Sequence, residues 1–445
     1  MKNTEERIRT IINDAVIKLF SLIADGMNRP SFDSIVKTTQ EAMNSVGVRL
    51  VEEVVRITDE EYNAKRDIHA VTLRNLKTRK MISGMGELSL TRRLYFNKAS
   101  QKYFFAADQL LHIEKYSRIE RELKAKLIGD ATLTSYGKAS KLSENCVSRQ
   151  TVYNLVKKVP SKSLDVQAKG FKQVRKIYIE ADEDHIHLNN GQSAEIKLVY
   201  VHEGRRRVNR GRTELMNAKY FVSASKGTQI WDYVSDYLFN QYAVSKAEVH
   251  LSGDGAAWIK QGLEVIPKVK YHIDKFHVFE SITRATGSDT KLRQQIINCI
   301  RTGEREKMKT LYVQRWKGLR SVRQRRRLTD SLTYVYNNFR AIDLTQAYCC
   351  SAEGHVSHVL SSRLSSRPMA WSRLGAEKMA KLRAYYFNGG KFDALLSTVI
   401  ENTKKKYNKF ATHEVESVHE IPHGHVVGLD GITDEVSRIL RSIVR

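Results

Sequence analysis

The stretch from Val174 to Ile273 constrains the fold of this chain more than any other. Val174–Asp182, Glu195–His202 and Ala218–Ala224 are short segments rich in β-branched, apolar and aromatic residues, the composition of strands. A helical pattern follows from about Thr228 to Tyr242, then a strand at Val249–Asp254, a short helix entered at Ala256, and a fifth strand at Lys268–Ile273. Three strands in meander, then helix, strand, helix and strand, predict a mixed five-stranded sheet with helices packed on it.

That element order is the order of a ribonuclease-H-like α/β core, and the flanking sequence places it late in a larger molecule. Ile8, Ile11, Ile12, Val16, Leu19, Phe20 and Ile23 recur at helical spacing, and a second helix runs from about Ser31 to Arg66 with Ser31 and Asp33 as caps. After His69 the period changes. Met85-Gly86-Glu87 interrupts an alternating stretch that holds Arg74, Lys77, Arg79, Lys80, Arg92 and Arg93. This is a basic β-hairpin, either a ribbon for a DNA groove or a small scaffold sheet with a solvated face. Thr134–Leu142 and Val147–Lys158 have the shape of a helix-turn-helix, with Ser143, Glu144 and Asn145 in the turn and Ser148 as cap. Its second helix offers Arg149, Gln150, Thr151 and Asn154 outward, residue types that suit base edges and phosphates. Beyond the core, Asp274–Ala347 reads as entirely helical and carries Arg315, Lys317, Arg320, Arg323, Arg325, Arg326 and Arg327. That block is either a solvated face or a phosphate-contacting insertion. Helix resumes near Glu353 and again over Ser372–Lys409, ending in Lys404–Lys406. His423-Gly424-His425 lacks visible partner ligands and reads as loop. The boundaries implied are 1–68 (helical), 69–114 (basic β-hairpin), 115–160 (helix-turn-helix), 171–283 and 348–412 (the two parts of the α/β core), 284–347 (all-helical insertion) and 413–445 (tail).

The 445 residues carry 75 Lys+Arg against 49 Asp+Glu, a formal +26, with 41 % hydrophobic residues. Cores of this composition fold, so the excess charge belongs to a structured protein and points to a polyanion such as nucleic acid. Cys146, Cys299, Cys349 and Cys350 form no CxxC pair, which argues against zinc and against a disulfide framework and for a reducing, cytoplasmic setting. The N-terminal stretch is charged from the start, unlike a signal peptide. No apolar run approaches the roughly 20 residues that span a bilayer, so no membrane partner is expected.

Three places carry chemistry. Glu180-Ala181-Asp182-Glu183-Asp184-His185 puts four acids at the expected end of an apolar strand, where they either meet water or hold a cation. Gly253-Asp254-Gly255 exposes an Asp at a strand end with backbone room for a ligand. Glu353 opens a helix. In-line displacement at phosphorus is served by two divalent ions roughly 3.5–4 Å apart, and hard cations take oxygen ligands. Asp182 and Asp254 on neighbouring strands, with Glu353 from a later helix, would converge on such a pair. Asp184 is an alternative to Asp182, since both lie on one face of the strand. Glu401, in a Lys-rich context, is an alternative to Glu353. Asp274 and His277, three apart, share a helix face. They read either as a cap with an incidental His or as a pair that orients a catalytic acid.

The strings Tyr178–His185, Ser252–Ile259, His272–His277, Glu353–His358 and Arg363–Ser372 resemble the bacterial insertion-sequence transposases of the ISLre-two family, a group once catalogued as an uncharacterised protein family. More distantly the chain is similar to Mutator-type transposases, which place an Asp or Cys, two residues, then a His after the second catalytic Asp. Asp274 and His277 fit that spacing. The resemblance implies Asp182, Asp254 and Glu353 as a DDE triad holding two Mg2+ ions, with Mn2+ as a substitute. It implies a helical insertion before the Glu, binding of double-stranded DNA at terminal inverted repeats, strand cleavage and transfer, and a homodimer or larger assembly on DNA. The competing expectation is a non-catalytic, domesticated DNA-binding protein that retains the fold.

Overall fold

The computed structural model describes residues 2–25, 31–143, 146–225, 229–344 and 350–396. Glu401, Lys404–Lys406, His423, His425 and the rest of the 413–445 tail, with Glu144, Asn145 and Cys349, lie outside the described residues. The chain divides into two compact units: residues up to Ile128 with Gly137–Val152, and Gly129–Tyr136 with Tyr153–Lys391.

In the first unit, α1 (Lys2–Asp25) and α2 (Phe32–Lys65) are the expected helices. Ser31 caps α2 by accepting the Ser34 N–H at 3.2 Å. The expected hairpin is β1 (Val71–Ser83) and β2 (Gly86–Asn97), and a third strand, β3 (Lys102–Phe105), joins it in the order β1-β2-β3 before α3 (Ala106–Leu110). Val55 of α2 buries with Met81, Leu88, Leu90 and Ala107, so helix and sheet share one core. Three of the six basic residues expected on the ribbon are used inside it, the first being Arg79, which lies 3.7 Å from Asp108 and donates to the Glu114 carbonyl at 3.0 Å. Arg92 is buried against Asp108 at 2.6 Å and over the Phe105 ring, and Arg93 pairs with Asp59 at 3.0 Å. A buried guanidinium needs a carboxylate partner, and these two have one. Arg74, Lys77 and Lys80 remain exposed.

Next come α4 (Arg121–Leu133), α5 (Tyr136–Leu142) and α6 (Arg149–Lys158), the last two being the helices expected of the helix-turn-helix. Ser140 Oγ donates to the Val147 carbonyl at 2.6 Å, and Ser148 Oγ caps α6 by accepting the Thr151 N–H at 3.2 Å.

The second unit contains β4 (Lys176–His187), β5 (Ser193–His202), β6 (Arg205–Arg207), β7 (Thr213–Leu215), β8 (Lys219–Ser223), α7 (Gln229–Gln241), β9 (Glu248–Gly253), α8 (Ala257–Lys260), α9 (Gly262–Val265) and β10 (Val269–Ile273). The five-stranded sheet runs β10-β9-β4-β5-β8, with β4, β9 and β10 parallel and β5 antiparallel to both its neighbours. The mixed sheet is as expected; the small β6–β7 hairpin between β5 and β8 was not anticipated. Period-two alternation gives the sheet two unlike faces. Ile177, Ile179, Ala181, Val199, Val201, Val249 and Leu251 bury against Ile230, Trp231, Val234 and Leu238 of α7, each large side chain contributing about 1.5–3 kcal/mol. Tyr178, Glu180, Asp182, Asp184, Tyr200 and His202 alternate with them on β4 and β5.

The expected helical stretch is α10 (Lys275–Thr286), α11 (Thr290–Thr302), α12 (Arg305–Gly318) and α13 (Val322–Asn338). It has its own core, built on Ile282, Ile296, Met308, Tyr312, Leu328 and Val335. Helix returns at α14 (Ala352–Val356), a π-helical turn at Ser357–Ser361, α15 (Ser362–Leu364) and α16 (Arg373–Phe387). The helix expected over Ser372–Lys409 breaks after Phe387, because Gly389 takes φ 80° and turns the chain, and it resumes over 392–396, where the described residues end. Strand β4, expected to end at Asp182, continues to His187 because β5 stays paired with it and Trp371 N–H bonds the His187 carbonyl at 3.0 Å. Among the described residues no helix is long and apolar enough to cross a membrane.

Candidate metal centre

Strand β4 lies at the middle of the five-stranded sheet, and its even-numbered residues share one face. Asp182 is 6 % exposed. Its Oδ1 accepts the Glu183 N–H at 2.8 Å, while Oδ2 is buried with no hydrogen-bond partner. Burial pushes its carboxyl up to about 7, with the Asp254 and Glu353 charges adding to the rise and the Glu183 N–H and His277 opposing it. A buried carboxylate oxygen without a donor is costly, and a cation removes that cost.

Asp182, His277 and Glu353 each present a ligand atom, and the three atoms lie within 4.8 Å of one another. Asp182 comes from mid-strand, His277 from the first turn of α10, and Glu353 from the first turn of α14, just before the π-helical turn. Two carboxylates and an imidazole suit a divalent cation, and Mg2+ is commonly held by one or two carboxylates plus substrate phosphates. An imidazole in the set also suits transition ions. His277, expected either as incidental or as paired with Asp274 in orienting a catalytic acid, is itself a member of the trio. Asp274 does what a cap does: it is 4 % exposed and accepts the Phe276 N–H at 3.0 Å. Its Oδ2 stands 4.0 Å from His277 Nε2, and burial raises its carboxyl above the usual range.

Asp254 stands beside the trio rather than in it. It follows β9 directly and is half-buried, where full exposure was expected, because α13 covers its loop. Tyr334 of α13 donates from its hydroxyl to the Asp254 carbonyl at 2.8 Å, and Asn338 Oδ1 accepts from Lys260 Nζ at 2.9 Å. Asp254 Oδ1 accepts the Ala256 N–H at 2.8 Å. The flanking glycines have separate reasons. A Cβ on Gly253 would stand 2.8 Å from the Ala181 carbonyl and 2.7 Å from Ile259 Cδ1, and Gly255 has φ 99°. Asp184, the alternative first acid, is held elsewhere: Ser365 Oγ donates to its carboxylate at 2.8 and 3.0 Å. Of the two, the structure brings Asp182 into the trio. Glu401, the alternative to Glu353, lies outside the described residues.

Sequence reasoning missed the role of Glu180. It was seen only as one of four acids, yet it is fully buried. Its carboxylate accepts from Ser351 N–H at 2.6 Å, Ser351 Oγ at 3.1 Å, Arg205 Nη2 at 3.3 Å, the Cys350 thiol at 3.4 Å and the Tyr200 hydroxyl. His202 Nε2 lies 3.0 Å away. Donation from Nε2 is the tautomer that leaves Nδ1 to accept the Gly204 N–H at 3.2 Å. Glu180 thus ties the strand that bears Asp182 to the residues immediately before Glu353. The carboxylate itself was visible in the sequence; its partners, 171 positions away, were not.

Of the residues expected to meet DNA, Arg149, Gln150 and Asn154 are exposed on α6, and Thr151 shares its hydroxyl with Ser148 at 3.1 Å. Arg323, Arg326 and Arg327 are exposed on α13, with Arg326 4.0 Å from Asp330. Arg325 is turned inward: its guanidinium lies over the Trp316 ring and donates to the Leu319 carbonyl at 2.8 Å. It staples α12 to α13.

Residues 22–397 match the family described as "Uncharacterised protein family (UPF0236)". A UPF0236 protein of Caldanaerobacter subterraneus subsp. tengcongensis is 33 % identical over 386 residues, covering 85 % of this chain and 83 % of the relative. A second from the same organism is 33 % identical over 377 residues, covering 83 % and 80 %, and its name joins eleven designations. A UPF0236 protein in the vanSb 3' region of Streptococcus gallolyticus is 24 % identical over 388 residues, covering 80 % of this chain and 84 % of its own length.

Proposed function

The chain belongs to the uncharacterised protein family UPF0236, and we propose that it is the DNA transposase of an insertion sequence, cutting and joining DNA with Asp182, Asp254 and Glu353. The observation that carries this reading is the convergence of Asp182, Glu353 and His277 around a buried carboxylate oxygen that has no partner. The eleven designations joined in one relative's name support it, since many copies of one sequence in one organism are what a self-moving gene leaves behind.

Divalent ions, Mg2+ or Mn2+ in its place, would supply Lewis-acid activation of the attacking water or hydroxyl and offset the charge that builds on the phosphoryl and leaving oxygens. The chain does the rest. Asp182 and Glu353 face one another across the trio, and Asp254 contributes a third carboxylate from the end of β9. His277 adds an imidazole at the edge of the phosphate site. In hydrolysis, water adds to phosphorus as the P–O3' bond breaks and a 3'-hydroxyl is freed. In strand transfer that hydroxyl attacks a target phosphodiester, and the target's own 3'-oxygen leaves. On this reading the sheet and its helices form a ribonuclease-H-like core, and α11–α13 are an insertion whose last helix braces the Asp254 loop through Tyr334. Helices α5 and α6 read the terminal inverted repeats, while Arg323, Arg326 and Arg327 hold phosphates without reading sequence. Two DNA ends must be joined, so a dimer or larger assembly acts on DNA in the bacterial cytoplasm.

The test is cleavage of a duplex carrying the terminal repeats that flank the gene. Asp254→Asn is expected to abolish Mg2+-dependent cleavage and leave duplex binding intact. A variant that still cuts overturns the triad, and a wild-type chain that binds the duplex but never cuts it favours the non-catalytic, domesticated reading.

A further inference from the structure

The β6–β7 hairpin concentrates five arginines, Arg205, Arg206, Arg207, Arg210 and Arg212, against a single acid, Glu214. Arg205 faces inward. Its Nη2 donates to Ser351 Oγ at 3.0 Å and to Glu180 at 3.3 Å, so the hairpin is rooted on the buried carboxylate that braces the metal centre. The other four arginines are exposed. Glu214 is shared between Arg212 at 3.0 Å and Arg206 at 3.8 Å, whose side chains remain 68 % and 73 % exposed. The tip is built rather than loose. Val208 N–H bonds the Arg212 carbonyl at 2.9 Å, Asn209 Oδ1 accepts the Gly211 N–H at 3.1 Å, and the Arg207 guanidinium donates to the Asn209 and Arg210 carbonyls at 3.2 and 3.1 Å.

Like charges held this close on a short rigid ribbon repel one another. A solvated face needs no such density, and lysine would serve it as well. Guanidinium groups are the choice where phosphate oxygens are to be gripped in pairs. Position agrees with chemistry. Strand β5 leaves the sheet at His202, paired with Tyr178, four residues along β4 from Asp182. That is about 13 Å at 3.3 Å per residue, the axial rise of roughly four phosphates on one strand of a duplex.

We infer that the β6–β7 hairpin is an arginine arm that grips the phosphate backbone of the DNA being processed at the metal centre, through Arg206, Arg207, Arg210 and Arg212. The arm rests on the transposase reading and gives it a second, sequence-independent contact beside the acids. Its anchoring through Arg205 places that contact at a fixed distance from Asp182.

The test uses the full chain and a labelled 30-base-pair duplex of arbitrary sequence, titrated from 50 to 200 mM NaCl. The variant R206A/R207A/R210A/R212A is expected to bind roughly 10- to 100-fold more weakly at the high-salt end. Its log-affinity against log-salt slope should be shallower by about two to three, near 0.9 for each phosphate no longer neutralised. The Mg2+-induced rise in Tm should stay unchanged, because the metal centre is untouched. Arg→Lys at the same four positions keeps the charge and loses the paired grip, so it is expected to keep the slope and lose part of the affinity. Wild-type binding matched by the Ala variant overturns the arm and leaves the transposase reading standing. A slope flattened equally in the Ala and Lys variants also overturns it, because charge is then not what binds. No duplex binding by the wild-type chain at 50 mM NaCl overturns the transposase reading itself.

Discussion

At Asp182 the cost of burying a carboxylate and the capacity to hold a cation are the same fact. Its folded-state value of about 7 lies above the 3.8 of an unperturbed Asp. The stability linked to this group is therefore fully present below pH about 4 and lost as pH climbs through about 7. Compared with Asp182→Asn, the metal-free wild type should match in Tm at pH 4 and fall progressively below it up to pH 7–8. Mg2+ at pH 8 should recover the difference in the wild type and do little for the variant, read by differential scanning fluorimetry. A wild type and variant that run parallel across pH would mean that Asp182 is not the buried, cation-relieved group. Glu180 poses the opposite case, a buried carboxylate already satisfied by protein donors. Glu180→Gln brings an amide NH2 against the Ser351 N–H and the Tyr200 hydroxyl, leaving donors unmatched at about 1–3 kcal/mol. If its carboxylate positions Glu353, the Mg2+ concentration needed for half-maximal stabilisation should also rise roughly tenfold. A lower Tm with unchanged Mg2+ response would reduce Glu180 to a purely structural role.

Elements were legible where periodicity is local. The helices at 2–25 and 32–65, the β1–β2 hairpin and the five core strands follow from spacing that any window of the sequence displays. Strand β4 was cut short at Asp182 because a run of acids reads as the end of a strand; only the pairing of β5 and the cover from Trp371 explain why the strand continues. The β6–β7 arm, with three residues in each strand, is too short for alternation to register. Asp182 and Asp254 were singled out because acid type and strand-end position are written in the chain, and Glu353 because it opens a helix within a string that carries the family resemblance. Glu180 and Tyr334 were not, because their roles lie in hydrogen bonds made across 171 and 80 positions. Gly253 shows how tightly β9 is fitted to β4. A Cβ there meets the Ala181 backbone carbonyl at 2.8 Å, and backbone cannot swing aside as a flexible side chain can. Gly253→Ala is therefore expected to cost about 1–3 kcal/mol and to shift Asp254 away from Asp182, so chemical denaturation and Mg2+ titration should both register the change. Full stability with an intact Mg2+ response would show that β9 has room to move.

At the scale of the molecule, the proposed recognition and the proposed chemistry lie on different elements and should be separable. The formal charge of +26 is spread over both units, so non-specific affinity for DNA should survive the loss of any one patch, in proportion to the phosphates that patch neutralises. Sequence preference has a narrower source. Base contacts, unlike phosphate contacts, are few and directional, and Arg149, Gln150 and Asn154 are the exposed polar side chains of α6 proposed to make them. Replacing the three with Ala leaves the Ser148 cap and the buried Val152 and Val156 in place, so α6 should remain folded. The triple variant should lose discrimination between a terminal-repeat duplex and a scrambled one, falling to a ratio near one, at about 1–3 kcal/mol per bidentate pair removed. Its affinity for the scrambled duplex should drop only by the share of one Arg, and its Mg2+-dependent Tm shift should equal that of the wild type. Competition binding with the two duplexes measures the first quantity and fluorimetry the last. Discrimination that survives the triple change would move sequence reading off α6, with the exposed Arg74 and Lys77 of β1 as the next residues to vary.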